Sequence, residues 1–314
     1  MDDVGRRRAR TLPRGGQGRA MRTSVLITCY RRRQYLDLSV SSAVADGADQ
    51  VVVVKDWSDP LVDRAFADLG VDVLTEDIPI IGEALARGLA RCDGETVSFL
   101  DDDDLLVRGR IAAVRGAFEK TPSLVLFRNG YTEVDVNGSP YVPEEGPLPQ
   151  PQTPYSFSSD MIDDGILRWI VARRAYGILS TITVRREALL PFAPDLSKVE
   201  CGIDIAVPTL LMRDSYRHAF TPDPFTIHRA GSSLRAGTTS DDPAAYARTF
   251  RRLRKAAGSD AARRYASMNE RWAELVRLVG RRRLETIQRL RARSASPSFR
   301  ELAGVLLPSL IDPP

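Results

Sequence analysis

Cysteine, histidine and long apolar runs are what this 314-residue sequence has least of. Its three cysteines, Cys29, Cys92 and Cys201, are odd in number, far apart and never in a CxxC pair, which argues against a disulfide framework and against a structural zinc site. No stretch approaches the roughly 20 apolar residues needed to cross a bilayer. The charged N-terminus has no apolar segment behind it, so a secretory signal is not indicated. Together these absences lead us to expect a reducing, cytoplasmic setting. What is present, 43% hydrophobic and 27% charged residues, is ordinary for a globular chain that buries a full core, as one large domain or one domain with an appendage.

The net charge of +4 hides a split. Residues 1–22 carry seven arginines against two aspartates, and residues 243–295 carry 15 basic against four acidic residues, so an acidic body has basic ends. Such ends read either as a solvated arginine-rich surface or as a salt-sensitive contact with anionic lipid or another acidic partner, which would hold the protein peripherally at the inner membrane face. Nucleic acid is not an expected partner, because no basic-aromatic binding motif accompanies the charge. Residues 243–295 also permit a homodimer without requiring one.

Residues 1–22 lack apolar periodicity and read as a disordered leader. From Ser24 the pattern changes. Ser24–Thr28, Gln50–Lys55, Val71–Thr75 and Thr96–Leu100 are short apolar runs rich in β-branched residues, and the segments between them, Gln34–Ala45, Pro60–Leu69 and Ile81–Arg91, read as helices. This alternation predicts a mainly parallel sheet wrapped by helices, with ligands bound beyond the carboxyl ends of the strands. A helix (Arg108–Glu119) and a strand (Leu124–Asn129) follow, then a hairpin signal at Asn137-Gly138 between Tyr131–Val136 and Tyr141-Val142. The proline-rich stretch Pro143–Pro154 reads as a surface loop or a lid. A strand at Ile178–Val184 and a helix at Ile203–Met212, in which Pro208 predicts a late start or a kink, close the body. Beyond Pro243, Tyr265, Met268, Trp272, Leu275 and Val279 recur at helical spacing as a core stripe; Gly280 separates it from a further helix with Leu284, Ile287 and Leu290.

The run Phe99-Leu100-Asp101-Asp102-Asp103-Asp104-Leu105 carries the most chemistry. Four carboxylates following a buried strand have their backbone fixed and their side chains converging. Mg²⁺ or Mn²⁺ takes oxygen ligands of this kind, one or two carboxylates completed by phosphate oxygens and water. A metal-assisted site for a nucleotide diphosphate is the reading that follows.

From Ser24 to Ser233, about two thirds of the chain, these features resemble the inverting GT-A glycosyltransferases of family 2. Ser24–Arg31 is similar to the family's first strand and nucleotide-binding turn, with Thr28 for its proline and Arg31 for its asparagine. Val54-Lys55-Asp56-Trp57-Ser58-Asp59 resembles its Asp-Asp-Gly-Ser-x-Asp. The resemblance implies that Asp56 accepts a hydrogen bond from the base, with Thr28 and Tyr30 beside it, Tyr30 as a stacking partner. Ala84-Leu85-Ala86 stands where the family has Ala-Arg-Asn, and Arg87 would substitute for the missing phosphate or sugar contact. Asp101-Asp102-Asp103 occupies the DxD position, which implies Asp101 and Asp102 on the donor and Asp103 on the metal. Glu200-Cys201-Gly202-Ile203-Asp204 falls where the family has its Glu-Asp pair, so Asp204 inherits the role of general base. Ile227–Ser233 resembles the closing segment whose histidine, here His228, joins the metal shell or faces the diphosphate.

The resemblance therefore implies a Rossmann-like α/β GT-A domain over residues 23–242, with a basic helical extension over 243–314. The activity it implies is that of an inverting hexosyltransferase using Mn²⁺ or Mg²⁺ and a UDP- or GDP-sugar, its acceptor being a glycan, lipid, peptide or small molecule. Two alternatives stand beside it: a sugar-phosphate nucleotidyltransferase, which would want a glycine-rich loop that Thr28–Arg31 lacks, and a non-catalytic nucleotide-sugar-binding protein. Taken singly, Asp204 also suits a helix N-cap, His228 a hydrogen-bonded structural histidine, and Tyr30 packing at the sheet edge.

Overall fold

The apolar run at the start of the body forms the strand β1 (Thr23–Cys29), every residue of which is buried. The computed structural model describes residues 20–279, apart from 79, 143–149, 173–174, 214 and 232–241. After β1 come α1 (Leu36–Ala45), β2 (Gln50–Lys55), α2 (Pro60–Asp68), β3 (Asp72–Thr75), α3 (Ile81–Arg91), β4 (Thr96–Asp101), β5 (Leu105–Leu106), α4 (Arg110–Lys120) and β6 (Leu124–Val134). The remainder is β7 (Tyr155–Ser158), α5 (Asp164–Ala172), β8 (Ile182–Arg185), α6 (Arg186–Leu189), α7 (Ala193–Leu196), α8 (Ile203–Leu211), β9 (Arg217–Arg229), α9 (Pro243–Ala256) and α10 (Asp260–Val279). The leader before residue 20, the core of the proline-rich loop, the segment after Gly231 and everything past Val279 lie outside the described residues.

One nine-stranded sheet runs β3-β2-β1-β4-β8-β6-β9-β5, with β7 on β9. The first four strands are parallel, and β8 enters antiparallel between β4 and β6. Burial on both faces explains the unbroken β-branched runs of β1 and β2. Leu26, Val52 and Val54 face α3, while Val25, Ile27, Val51 and Val53 share the opposite face with Leu36 and Val40 of α1.

Several local expectations shift. The strand expected at Leu124–Asn129 and the first hairpin strand are one continuous β6, and the turn follows at Asp135–Ser139 with Gly138 at φ +87°. The long β9 carries Pro222 and Pro224, which mask a strand pattern. There the register against β6 slips, and Gly130 makes room: a Cβ on it would lie 2.2 Å from the Pro222 carbonyl oxygen. The helix at Ile203 keeps Pro208 in its interior and starts no later. The strand expected from Ile178 opens as a 3₁₀ turn at Leu179–Thr181 before β8.

The last two helices join the main core. Pro243 sits in the first turn of α9 and Asp242 caps it, accepting from the Ala244 N–H at 2.8 Å. Phe250 and Leu253 of α9 and Ala262, Tyr265 and Ala266 of α10 belong to the same apolar cluster as the central strands. Each large side chain so buried stabilises by roughly 1.5–3 kcal/mol. Met268, expected in the stripe, is instead exposed. Much of the basic charge here is paired internally: Arg248 and Arg252 with Glu200, Arg251 and Arg254 with Glu270, Arg264 with Asp164. The three cysteines are buried and free, and no described helix is long and apolar enough to cross a membrane.

Candidate active site

The register of the parallel strands brings the chemistry together. Thr28 pairs with Val54 on one side and with Asp101 on the other, so the carboxyl ends of β1, β2 and β4 open side by side. A cleft of about 370 Å³ lies beyond them, within the range of small-molecule sites. Of the residues expected at a site, Thr28, Tyr30, Asp56, Asp101, Asp102, Asp103, Asp204 and His228 all line it. Arg87 does not, and that expectation is corrected. Its guanidinium pairs with Glu76 and, one helical turn back, with Glu83 at 2.7 Å.

The loop after β1 is held from both sides. Arg31 takes a left-handed backbone at φ +54°, a conformation asparagine tolerates better than arginine, and its N–H donates to Asp56 Oδ1 at 2.7 Å. The Cys29 thiol donates to the Arg32 carbonyl at 2.7 Å. Lys55, whose side chain is fully buried, bonds to Asp63 at 2.8 Å and to the Trp57 carbonyl, and so shapes the β2–α2 turn.

The four aspartates differ in what they do. The Asp104 N–H donates to the Asp101 carbonyl, making a tight turn, and the Asp101 N–H donates to Ser180 Oγ at 2.9 Å. Asp104, 1% exposed, staples the turn to β9: its Oδ1 accepts from the Arg229 N–H at 2.8 Å and lies 3.2 Å from His228 Nδ1. Burial, then the charges of Asp104, Asp103 and Asp102, push the Asp101 carboxyl well above the usual carboxylate range. Asp102 and Asp103 converge on one cation, the Arg32 guanidinium, whose fork bonds both Asp102 oxygens and reaches Asp103 Oδ2 at 2.8 Å.

That convergence bears on a divalent ion. Two hard carboxylates aimed at one cationic group fit Mg²⁺ or Mn²⁺ held by one or two protein oxygens and by phosphate. Among the described residues no group of three His, Cys, Asp or Glu could hold a metal ion. His228, expected to join Asp103 in the metal shell or to face the diphosphate, lines the same cleft as Asp103 and turns its Nδ1 to Asp104. Burial opposes its charge, but the Asp104 hydrogen bond and the charges of Asp104, Asp101 and Asp103 outweigh burial and raise it to about 9.

Asp204 lines the cleft from the first turn of α8, whose N-cap is Gly202, so the capping alternative for Asp204 falls away. Gly202 takes φ +67°, and a Cβ there would lie 2.9 Å from the Tyr246 ring of α9. Tyr246 lines the cleft too, so the helices after residue 242 contribute to its wall. Glu200, the next carboxylate, is held by Arg248 at 2.7 Å and by Arg252. The Arg248 hydrogen bond, with both guanidinium charges, lowers it below the usual range despite some burial.

Sequence reasoning missed Arg32, Asp104 and Tyr246. The Arg31–Arg33 run and the fourth aspartate were visible as residue types, but their pairing across 70 or more residues was not. Tyr246 lay beyond the stretch that carries the resemblance.

Residues 24–167 match the model of glycosyl transferase family 2. Solved structures with similar coordinates include S. aureus TarS 1–349 in complex with UDP-GlcNAc, 14% identical, covering 91% of this chain and 82% of that one at a TM-score of 0.60. GalNAc-T7 with UDP, GalNAc and Mn²⁺ is 12% identical over 93% of this chain and 57% of that one, with a TM-score of 0.57. Against the longer S. aureus TarS structure, at 14% identity, 91% coverage of this chain and a TM-score of 0.55, the chain spans 55% of the length. At such identities the likeness establishes the GT-A fold. No curated protein sequence gives a significant match.

Proposed function

We propose that this protein transfers a sugar from a nucleotide-diphosphate donor, a UDP- or GDP-sugar, to an acceptor nucleophile, with inversion and with Asp204 as general base. The observation that carries the reading is the shared cleft, which Tyr30, Asp56, Asp101, Asp102, Asp103 and Asp204 all line. The UDP, UDP-GlcNAc and GalNAc present in the similar structures support a donor of this kind. Asp56 keeps one carboxylate oxygen on the Arg31 N–H and would offer the other to the base, with Tyr30 against its face.

A Mg²⁺ or Mn²⁺ ion beside Asp103 would supply Lewis-acid stabilisation of the departing diphosphate. The protein's own part is proton transfer and exclusion of water. As the acceptor hydroxyl attacks the anomeric carbon and the bond to the diphosphate oxygen breaks, its proton would pass to an Asp204 carboxylate oxygen. A positioned base contributes about 10²–10⁴-fold. Asp204→Asn keeps the shape and loses the basicity, so donor binding by calorimetry should stay within a factor of about three while turnover falls by about 10² or more. Near-normal turnover would remove Asp204 from the mechanism.

A further inference from the structure

Arg32 is a charged side chain lining the cleft that neither the family motif nor the proposed chemistry uses. It stands on the β1–α1 loop, and that loop is pinned by the Cys29 thiol and by Asp56. Its guanidinium is nearly enclosed, 11% exposed, and so are its partners, Asp102 at 8% and Asp103 at 10%. The planar fork spans two carboxylates that are neighbours in sequence. A guanidinium is charged at any working pH, and this one occupies the Asp102 and Asp103 oxygens that a divalent ion would need.

Resting on the reading above, we propose that Arg32 is the resident counter-cation of the acidic turn and a protein ligand of the donor's diphosphate. It closes the Asp102–Asp103 pair to a free divalent cation and releases it when phosphate oxygens take over the guanidinium. The physical reasons are two. A guanidinium and a divalent ion compete for the same oxygens, so two cations a few ångströms apart repel unless an anion enters between them. A diphosphate is that anion, and it suits the arginine fork as well as a carboxylate does. Metal and nucleotide binding are then coupled: each favours the other because Arg32 changes partner.

One substitution should move two affinities in opposite directions. In Arg32→Gln, Mn²⁺ titrated without nucleotide and followed by the loss of its free-ion electron paramagnetic resonance signal should bind about tenfold or more tighter than to the wild type. In EDTA, UDP followed by calorimetry should bind about tenfold more weakly. Damage to the fold would weaken both. Arg32→Lys, which keeps the charge, should exclude free Mn²⁺ as the wild type does. The wild type alone also decides the matter, since tight Mn²⁺ binding without nucleotide would overturn the proposal whatever the variant does. If wild type and Arg32→Gln bind Mn²⁺ equally without UDP, and both bind Mn²⁺ with UDP, the Arg32 proposal fails while the nucleotide-diphosphate reading stands. If neither nucleotide nor Mn²⁺ binds under any condition, both fail.

Discussion

The chain's other histidine makes a sharp thermodynamic prediction. His218 in β9 is fully buried, stacked 5.6 Å from Phe157. Its Nε2 lies 3.2 Å from the Leu211 carbonyl, an acceptor only, so Nε2 carries the proton; Nδ1 must then accept from the Tyr176 hydroxyl at 2.5 Å. Every hydrogen bond suits the neutral ring, and burial lowers its pKa to about 4, against a smaller opposing effect of the Leu211 carbonyl. The sign follows. Below about 6.5 the unfolded chain takes up a proton that the native ring refuses until about 4, so this contribution is complete above pH 6.5 and drains away as the pH falls. The loss is about 2 kcal/mol between pH 7 and pH 5, and about 3 kcal/mol by pH 4. Urea denaturation at pH 7, 6 and 5, followed by circular dichroism, measures it against His218→Asn, whose amide oxygen keeps an acceptor for Tyr176. The variant starts less stable but lacks this term, so the gap between the two proteins should narrow by about 2 kcal/mol across the range. Parallel stability curves would refute the reasoning.

Two further substitutions probe the cleft wall. Gly202→Ala places a side chain at φ +67° and forces the Tyr246 ring aside; it should cost about 1–2 kcal/mol from the backbone alone and lower turnover more than donor affinity, which thermal melting and steady-state kinetics would test. Glu200→Gln loosens exposed arginine pairs, so stability should change by less than about 1 kcal/mol with turnover retained; loss of turnover with donor binding intact would reassign the base.

The alternation of strands and helices was legible because burial on both faces forces β-branched runs, and the acidic turn because it follows such a run directly. Asp56, Asp101–Asp103 and Asp204 were legible as residue types at spacings that place them on strand ends and a helix start. What sequence could not supply was direction. Arg87 is one turn from Glu83 on α3, a local ion-pair signal that points away from a phosphate role. His228 and Asp104 meet across 124 residues, and only the β5–β9 pairing of Leu105 with Ile227 reveals that they are neighbours. Pro222 and Pro224 hid β9, and with it the strand that carries both histidines.

Calorimetric titration of the whole protein with UDP and with GDP, each in the presence of Mn²⁺ and again in EDTA, tests the donor site most directly. The account predicts that at least one of the two binds in the micromolar range with Mn²⁺ and more weakly without it. Absence of binding by both at millimolar concentration, with and without Mn²⁺, would contradict it.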